Sequence, residues 1–185
     1  SQYRNLMHCF VHRQGRTSAS TFWTGCGAVR RSVFLAHGGL DESYLEPAIE
    51  DIEFGMRMHQ AGCELALNPA IQCQHMKNWG LWNLLYADVF LRGIPWTKLI
   101  LRARHAPNDL NLRWDQRLSV LLTALLLGLL LTASWAMASL VLAAIVVVNR
   151  EFYVFLARHR GFAFAGASIP MHLLYFCCCG LAFGL

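Results

Sequence analysis

The segment Pro47-Ala48-Ile49-Glu50-Asp51-Ile52-Glu53-Phe54 gathers three carboxylates at the opening of a helical pattern that ends at Gly62. Acidic side chains in a first helical turn complement the macrodipole, and Asp is a favoured N-cap, so the cluster can be purely structural. The same position also suits chemistry. A carboxylate at a loop-to-helix junction can face a cleft and take the proton of an acceptor hydroxyl. Glu50 and Asp51 are the pair placed for that work, whereas Glu53 falls on solvated helix surface.

Four further positions bear on the same chemistry, each with a plain reading beside the functional one. The Gly25-Cys26-Gly27 loop permits close backbone approach to a ligand, yet a single Gly-x-Gly is commonly just a turn. Trp23 is either a stacking platform for a sugar or core. His75 closes an alternating stretch and is followed by Lys77. A strand-end His is often structural, but a His with a nearby Lys can neutralise a pyrophosphate or give one ligand to a divalent cation. Arg57 pairs with a nearby acid or contacts phosphate.

The elements expected to carry these residues are short. Thr21 to Thr24 reads as a strand running into the glycine loop, and Ala28-Val29 pairs again before a brief helix around Ser32 to His37 stopped by Gly38-Gly39. Asp51 to Ala61 is a helix, with Ile52 and Met56, and Phe54 and Met58, four apart. Cys63, Leu65 and Leu67 alternate as a half-buried strand, Asn68-Pro69 turns the chain, and Ala70 to His75 alternates again. Ser1 to Ser20, polar and basic, reads as a loop or a broken domain edge.

After Trp79 the character changes. Trp82, Leu85, Tyr86, Val89 and Phe90 follow i, i+3, i+4, i+7, i+8 spacing, which predicts an amphipathic helix lying at a membrane surface or packed on the domain. Ser119 to Val148 is uncharged and apolar, long against the ~20 residues that cross a bilayer. Basic residues at both ends favour a tight hairpin turning near Thr132 to Trp135, with 149–160 an interfacial connector and 162–185 a further span. Residues 1–78 then form a globular part, 79–117 an interfacial helix and juxtamembrane linker, and 118–185 a membrane region.

Composition agrees with that division. Of 185 residues 56% are hydrophobic, and Glu151 is the lone acid after Asp115. The net charge of +5 comes largely from Arg and Lys flanking the apolar blocks, the pattern of cytoplasmic flanks on anionic lipid rather than of a nucleic-acid interface. The seven cysteines show no Cys-x-x-Cys pair, so reduced thiols are expected.

Taken in order, Thr24-Gly25-Cys26-Gly27-Ala28-Val29-Arg30-Arg31, Gly38-Gly39-Leu40-Asp41-Glu42, Glu50-Asp51-Ile52-Glu53-Phe54-Gly55-Met56-Arg57-Met58 and Ala61-Gly62-Cys63 resemble the acceptor-side half of family 2 glycosyltransferases, over roughly Phe22 to Trp79. The resemblance implies an α/β fold, an incomplete Rossmann-like GT-A half-domain. It also implies inverting transfer of a sugar from a nucleotide-sugar donor to a hydroxyl on a lipid-linked or envelope glycan acceptor. It makes Asp51 the base, puts the glycine loop in the cleft and sets His75 at the metal or diphosphate. The divalent cation, Mg²⁺ or Mn²⁺, is expected to take its main ligands from an Asp-x-Asp motif, and none occurs in this chain. That motif and the donor-binding half are therefore expected before Ser1, and the chain alone is expected to be inactive. The Gln-x-x-Arg-Trp motif of processive synthases is absent, with Gln74, Lys77 and Trp79 only a loose echo. The expected site is the cytoplasmic face of a bacterial-type plasma membrane. The alternative is a non-catalytic membrane scaffold, with Glu50-Asp51 a helix cap and the Trp-rich helix a docking surface. A transporter fragment is disfavoured by apolar spans that carry no acidic residue.

Overall fold

The computed structural model describes residues 2–15, 17–68, 70, 71, 73, 78–104, 108 and 110–185. Their regular structure is helical throughout: α1 (Gln2–Arg13), α2 (Arg31–Ala36), α3 (Glu50–Gln60), α4 (Leu81–Tyr86), a π-helical stretch Ala87–Gly93, α5 (Ile94–Ala103), α6 (Trp114–Leu131), α7 (Trp135–Val148), α8 (Arg150–Arg160), α9 (Phe162–Ala167) and α10 (Ile169–Gly184). Short 3-10 turns occupy Thr24–Cys26 and Leu110–Leu112.

This corrects the α/β expectation. No sheet forms among the described residues, and β pairing is confined to one antiparallel bridge between Ser18 and Ala66. Its rungs are Ala19 N–H to Leu65 O and Leu67 N–H to Thr17 O, both 2.8 Å. The physical reason is that alternation sets which side chains face inward but does not supply a partner edge, and an isolated two-stranded pairing is marginal. Cys63, Leu65 and Leu67 do turn inward onto the core around Phe54, so the face was readable while the sheet was not. Thr21 to Thr24 enters a 3-10 turn instead of a strand. The Ala70 to His75 stretch lies largely outside the described residues. Ser1 to Ser20, expected as loop, contains α1, because Tyr3, Leu6, Met7 and Phe10 recur at helical spacing and pack onto the bundle.

Helix α3 carries the small core. Phe54 is fully buried, with Phe22 and Phe34 edge-on at centroid distances of 5.9 and 5.3 Å. The helix ends in a Schellman motif: Gly62 at φ +80° is left-handed, Gly62 N–H bonds His59 O and Cys63 N–H bonds Met58 O. Gly55 is where the Thr21–Phe22 backbone crosses the helix. A Cβ there would stand 2.0 Å from Phe22 N and 2.5 Å from Thr21 C. Gly55→Ala is therefore expected to cost ~1–3 kcal/mol, read as a lowered Tm of the purified protein. An unchanged Tm would contradict this crossing.

Among the described residues, two helices, Trp114–Leu131 and Phe162–Gly184, are long and apolar enough to cross a membrane. A third span results if α7 and α8, bent by 71° at Asn149, are counted as one. Asn149 is buried at the bend, donating from Nδ2 to Ser119 Oγ (2.8 Å) and Ile145 O (2.9 Å). Helix α6 turns into α7 through another Schellman motif, with Ser134 N–H on Leu129 O and Ala133 N–H on Leu130 O. Here the left-handed residue is Ala133, at φ +53°. Ala133→Gly should relieve ~1 kcal/mol of Cβ strain and raise Tm; a lowered Tm would show that the turn prefers its methyl group. The bundle core behind these helices includes Leu126, Ile145, Phe152, Leu156 and Phe176.

Between the two cores runs 81–103. The expected stripe is only partly the buried one. Leu84, Ala87, Asp88 and Val89 are buried, while Trp82, Tyr86 and Phe90 are exposed in a ridge. Gly93 lets the stretch close on α10, since a Cβ there would stand 2.4 Å from Ala182 Cβ.

Candidate functional site

The first turn of α3 and the 3-10 turn at Thr24 meet at Asp51. Ile49, fully buried, is the residue preceding the helix, and as an aliphatic side chain it offers no cap. Asp51 therefore lies inside the first turn and not at the N-cap. Its Oδ2 accepts from both the backbone N–H and the Oγ1 hydroxyl of Thr24, each at 3.1 Å, and its Oδ1 lies 2.8 Å from Ile52 N. A carboxylate offers about four lone-pair directions. Three are engaged here, and one on Oδ1 remains for a further donor. Asp51 is 9% exposed, enough to border solvent while held from behind. Glu50 is directed elsewhere: its Oε2 accepts from Ala48 N–H at 2.7 Å and ties down the approach to the helix.

The glycine loop is shaped by Trp23. Its indole folds back over Gly25, where a Cβ would stand 2.5 Å from the ring, and its carbonyl lies 2.6 Å from where a Cβ on Gly27 would be. Both positions thus require glycine. The other side of Trp23 lies against His12, centroids 5.0 Å apart. Cys26 is exposed. Of the expected set, the loop residues Trp23, Gly25, Cys26 and Gly27 are joined to Asp51 through Thr24, while Glu50 bonds Ala48 instead. His75 and Lys77 lie outside the described residues.

Arg57 sits further along α3 with its guanidinium engaged. Nε and Nη2 form a fork on Glu53 at 2.9 and 2.6 Å, Nη1 donates to His37 O, and Nη2 also reaches Gly39 O at 3.0 Å. Hydrogen bonding to Glu53 holds its pKa above the usual guanidinium value. This fork is the ion pair offered as one reading of Arg57, and it clamps the Gly38-Gly39 turn onto α3. Glu53, read as solvated surface, is half of that clamp.

Several contributing residues carried no role in the sequence reading. Thr24 was visible only as the residue before the glycine loop, and nothing local marks it as the partner of a carboxylate 27 positions away. Arg92, read as a juxtamembrane cation, lies over Trp79 (5.3 Å to the ring centroid) and 3.9 Å from Asp88.

The described residues do not assemble a divalent-cation site, since no three His, Cys, Asp or Glu side chains converge on one point. Comparisons with models of protein families, with characterised proteins and with solved structures found no match to this chain.

Proposed function

We propose that this chain contributes the acceptor side of a membrane-anchored inverting glycosyltransferase. The observation that carries the reading is the junction at Asp51: one carboxylate at the start of α3, held by Thr24 beside the glycine loop, with one lone-pair direction on Oδ1 unengaged. In this scheme the acceptor hydroxyl donates to Oδ1. As its oxygen attacks the anomeric carbon, the proton passes to Asp51, the C–O bond to the nucleoside diphosphate breaks, and the configuration inverts. Holding the base rigidly from behind lowers the reorganisation needed at the moment of transfer. Helices able to cross a membrane would set this junction beside a lipid-linked or envelope glycan acceptor, on the cytoplasmic face.

The test is transfer of labelled sugar from a panel of nucleotide-sugars, in membranes containing the protein. Donor-dependent labelling of lipid or glycan that is lost on Asp51→Asn is the expected result. Labelling that ignores this substitution would remove Asp51 from the reaction. The scaffold reading draws its support from the exposed ridge of Trp82, Tyr86 and Phe90, and it predicts no labelling with any donor.

A further inference from the structure

Where α1, the π-helical stretch and α10 meet, two guanidinium groups share one carboxylate. Arg4, 5% exposed, donates from Nη2 to Asp88 Oδ1 at 2.5 Å, and Arg92 Nη1 stands 3.9 Å from the same oxygen. No other carboxylate among the described residues lies within ion-pair distance of either cation. The cluster thus holds one positive charge in excess. Buried charge is tolerated when paired and hydrogen-bonded, yet Arg4 Nε and Arg92 Nη1 are buried without a hydrogen-bond partner. The faces of Tyr175 and Trp79, each 5.3 Å from a guanidinium carbon, offset part of the charge but accept no N–H in the plane of the fork. Burial also holds Asp88 above the usual carboxylate range despite Arg4 and Arg92, so the lone counter-ion is itself disfavoured as an anion.

Leu84, Leu85, Met171 and Leu174 line the narrow crevice beside Arg4 and Asp88, and α10, which supplies Met171 and Leu174, belongs to an apolar helix. Arg92 Nη1 is buried, but 28% of the Arg92 side chain is exposed. We propose that Arg4 and Arg92 form a binding site for the phosphate group of a lipid, with Arg92 as the outer contact and the hydrocarbon chain lying along α10. Phosphate matches the requirement: it brings the missing negative charge and several acceptor oxygens to unpartnered guanidinium N–H groups. This inference stands independently of the transferase reading, because a lipid phosphate can be held whether or not sugar is moved.

The experiment uses the full chain in phosphatidylcholine nanodiscs with tritiated farnesyl phosphate as the probe. Saturable binding is expected, with unlabelled farnesol a poor competitor. Competition by phosphatidylglycerol would identify bulk anionic lipid as a source, competition by inorganic phosphate a free ion, and competition by neither a preference for phosphate monoesters on an isoprenoid chain; all three support the site. Arg92→Gln should weaken binding at least ~10-fold, as loss of a charge-assisted hydrogen bond implies, while Arg92→Lys should retain more than the Gln variant. Because either variant can perturb packing, the unmutated protein supplies a second measurement: farnesyl phosphate should slow phenylglyoxal modification of Arg92, read by peptide mass spectrometry. Farnesol competing as well as farnesyl phosphate, unprotected Arg92, or a folded Arg92→Gln variant that binds normally would each overturn the proposal.

Discussion

Asp51→Asn is expected to lower the rate of sugar transfer by ~10²–10⁴-fold, the range that a positioned general base contributes, while leaving the donor KM within about threefold of its starting value. The substitution changes protonation far more than position. An Asn side chain has the shape of Asp, and its carbonyl oxygen can still accept from the Thr24 N–H and hydroxyl that now bond Oδ2 at 3.1 Å, at the loss of the Ile52 N–H bond to Oδ1. What it cannot do is take a proton from an acceptor hydroxyl. A purely structural role for Asp51 makes a different prediction: Tm would fall, and Thr24→Val, which deletes one of the same hydrogen bonds, would lose activity in proportion. The decisive comparison is therefore the two variants side by side, scored for kcat, donor KM and Tm. An Asp51→Asn protein with near-normal kcat would end the assignment. One whose kcat loss is matched by Thr24→Val at equally lowered Tm would reduce Asp51 to a clamp.

Much of what surrounds Asp51 was legible because it is local. Helix α3 follows from apolar residues four apart and from Gly62, whose left-handed conformation closes the helix one residue from the expected end. Gly38 and Gly39 stop α2 by the same geometry. The apolar blocks were legible too, since length and absence of charge are what a bilayer demands. What failed was everything that depends on a distant partner. Strands were inferred from alternation at Thr21 to Thr24 and Cys63 to Leu67, but a strand is defined by the edge it pairs with, and here that edge is one bridge. The stripe through Trp82, Leu85, Tyr86, Val89 and Phe90 assumed 3.6 residues per turn. Seven residues of π-helix widen the turn, so Val89 goes inward and Phe90 outward. Arg4 and Asp88 lie 84 positions apart, and no local spacing pairs a cation in a supposed loop with an acid in an amphipathic helix. The site residues were thus readable as types and order, while their partners required the fold.

Phe54→Ala is expected to cost ~3–5 kcal/mol, as removal of a buried aromatic ring from a packed core does. The ring has no exposed surface and is the centre on which Phe22, Phe34, Val33, Leu65 and Leu67 converge. Apart from Val33 and Phe34 on the short α2, these neighbours are held by segments with little regular structure of their own, so a long helix cannot slide inward to close the cavity. The consequence reaches Asp51. Phe22 packs against Phe54 and lies two residues before Thr24, so loosening it slackens the hydrogen bonds on the carboxylate. The bundle core uses other residues and does not include Phe54, so the apolar helices should keep their far-UV signal while the small core melts early. Hydrogen exchange read by mass spectrometry checks this directly: Phe54→Ala should speed exchange across 50–60 and 21–27 and leave 135–148 unchanged. Phe54→Leu, which keeps more of the buried volume, should show a smaller effect in the same segments. Equal acceleration in all segments would mean that the two cores fold as one unit, and protection unchanged at 50–60 would remove Phe54 from the centre of the site's support.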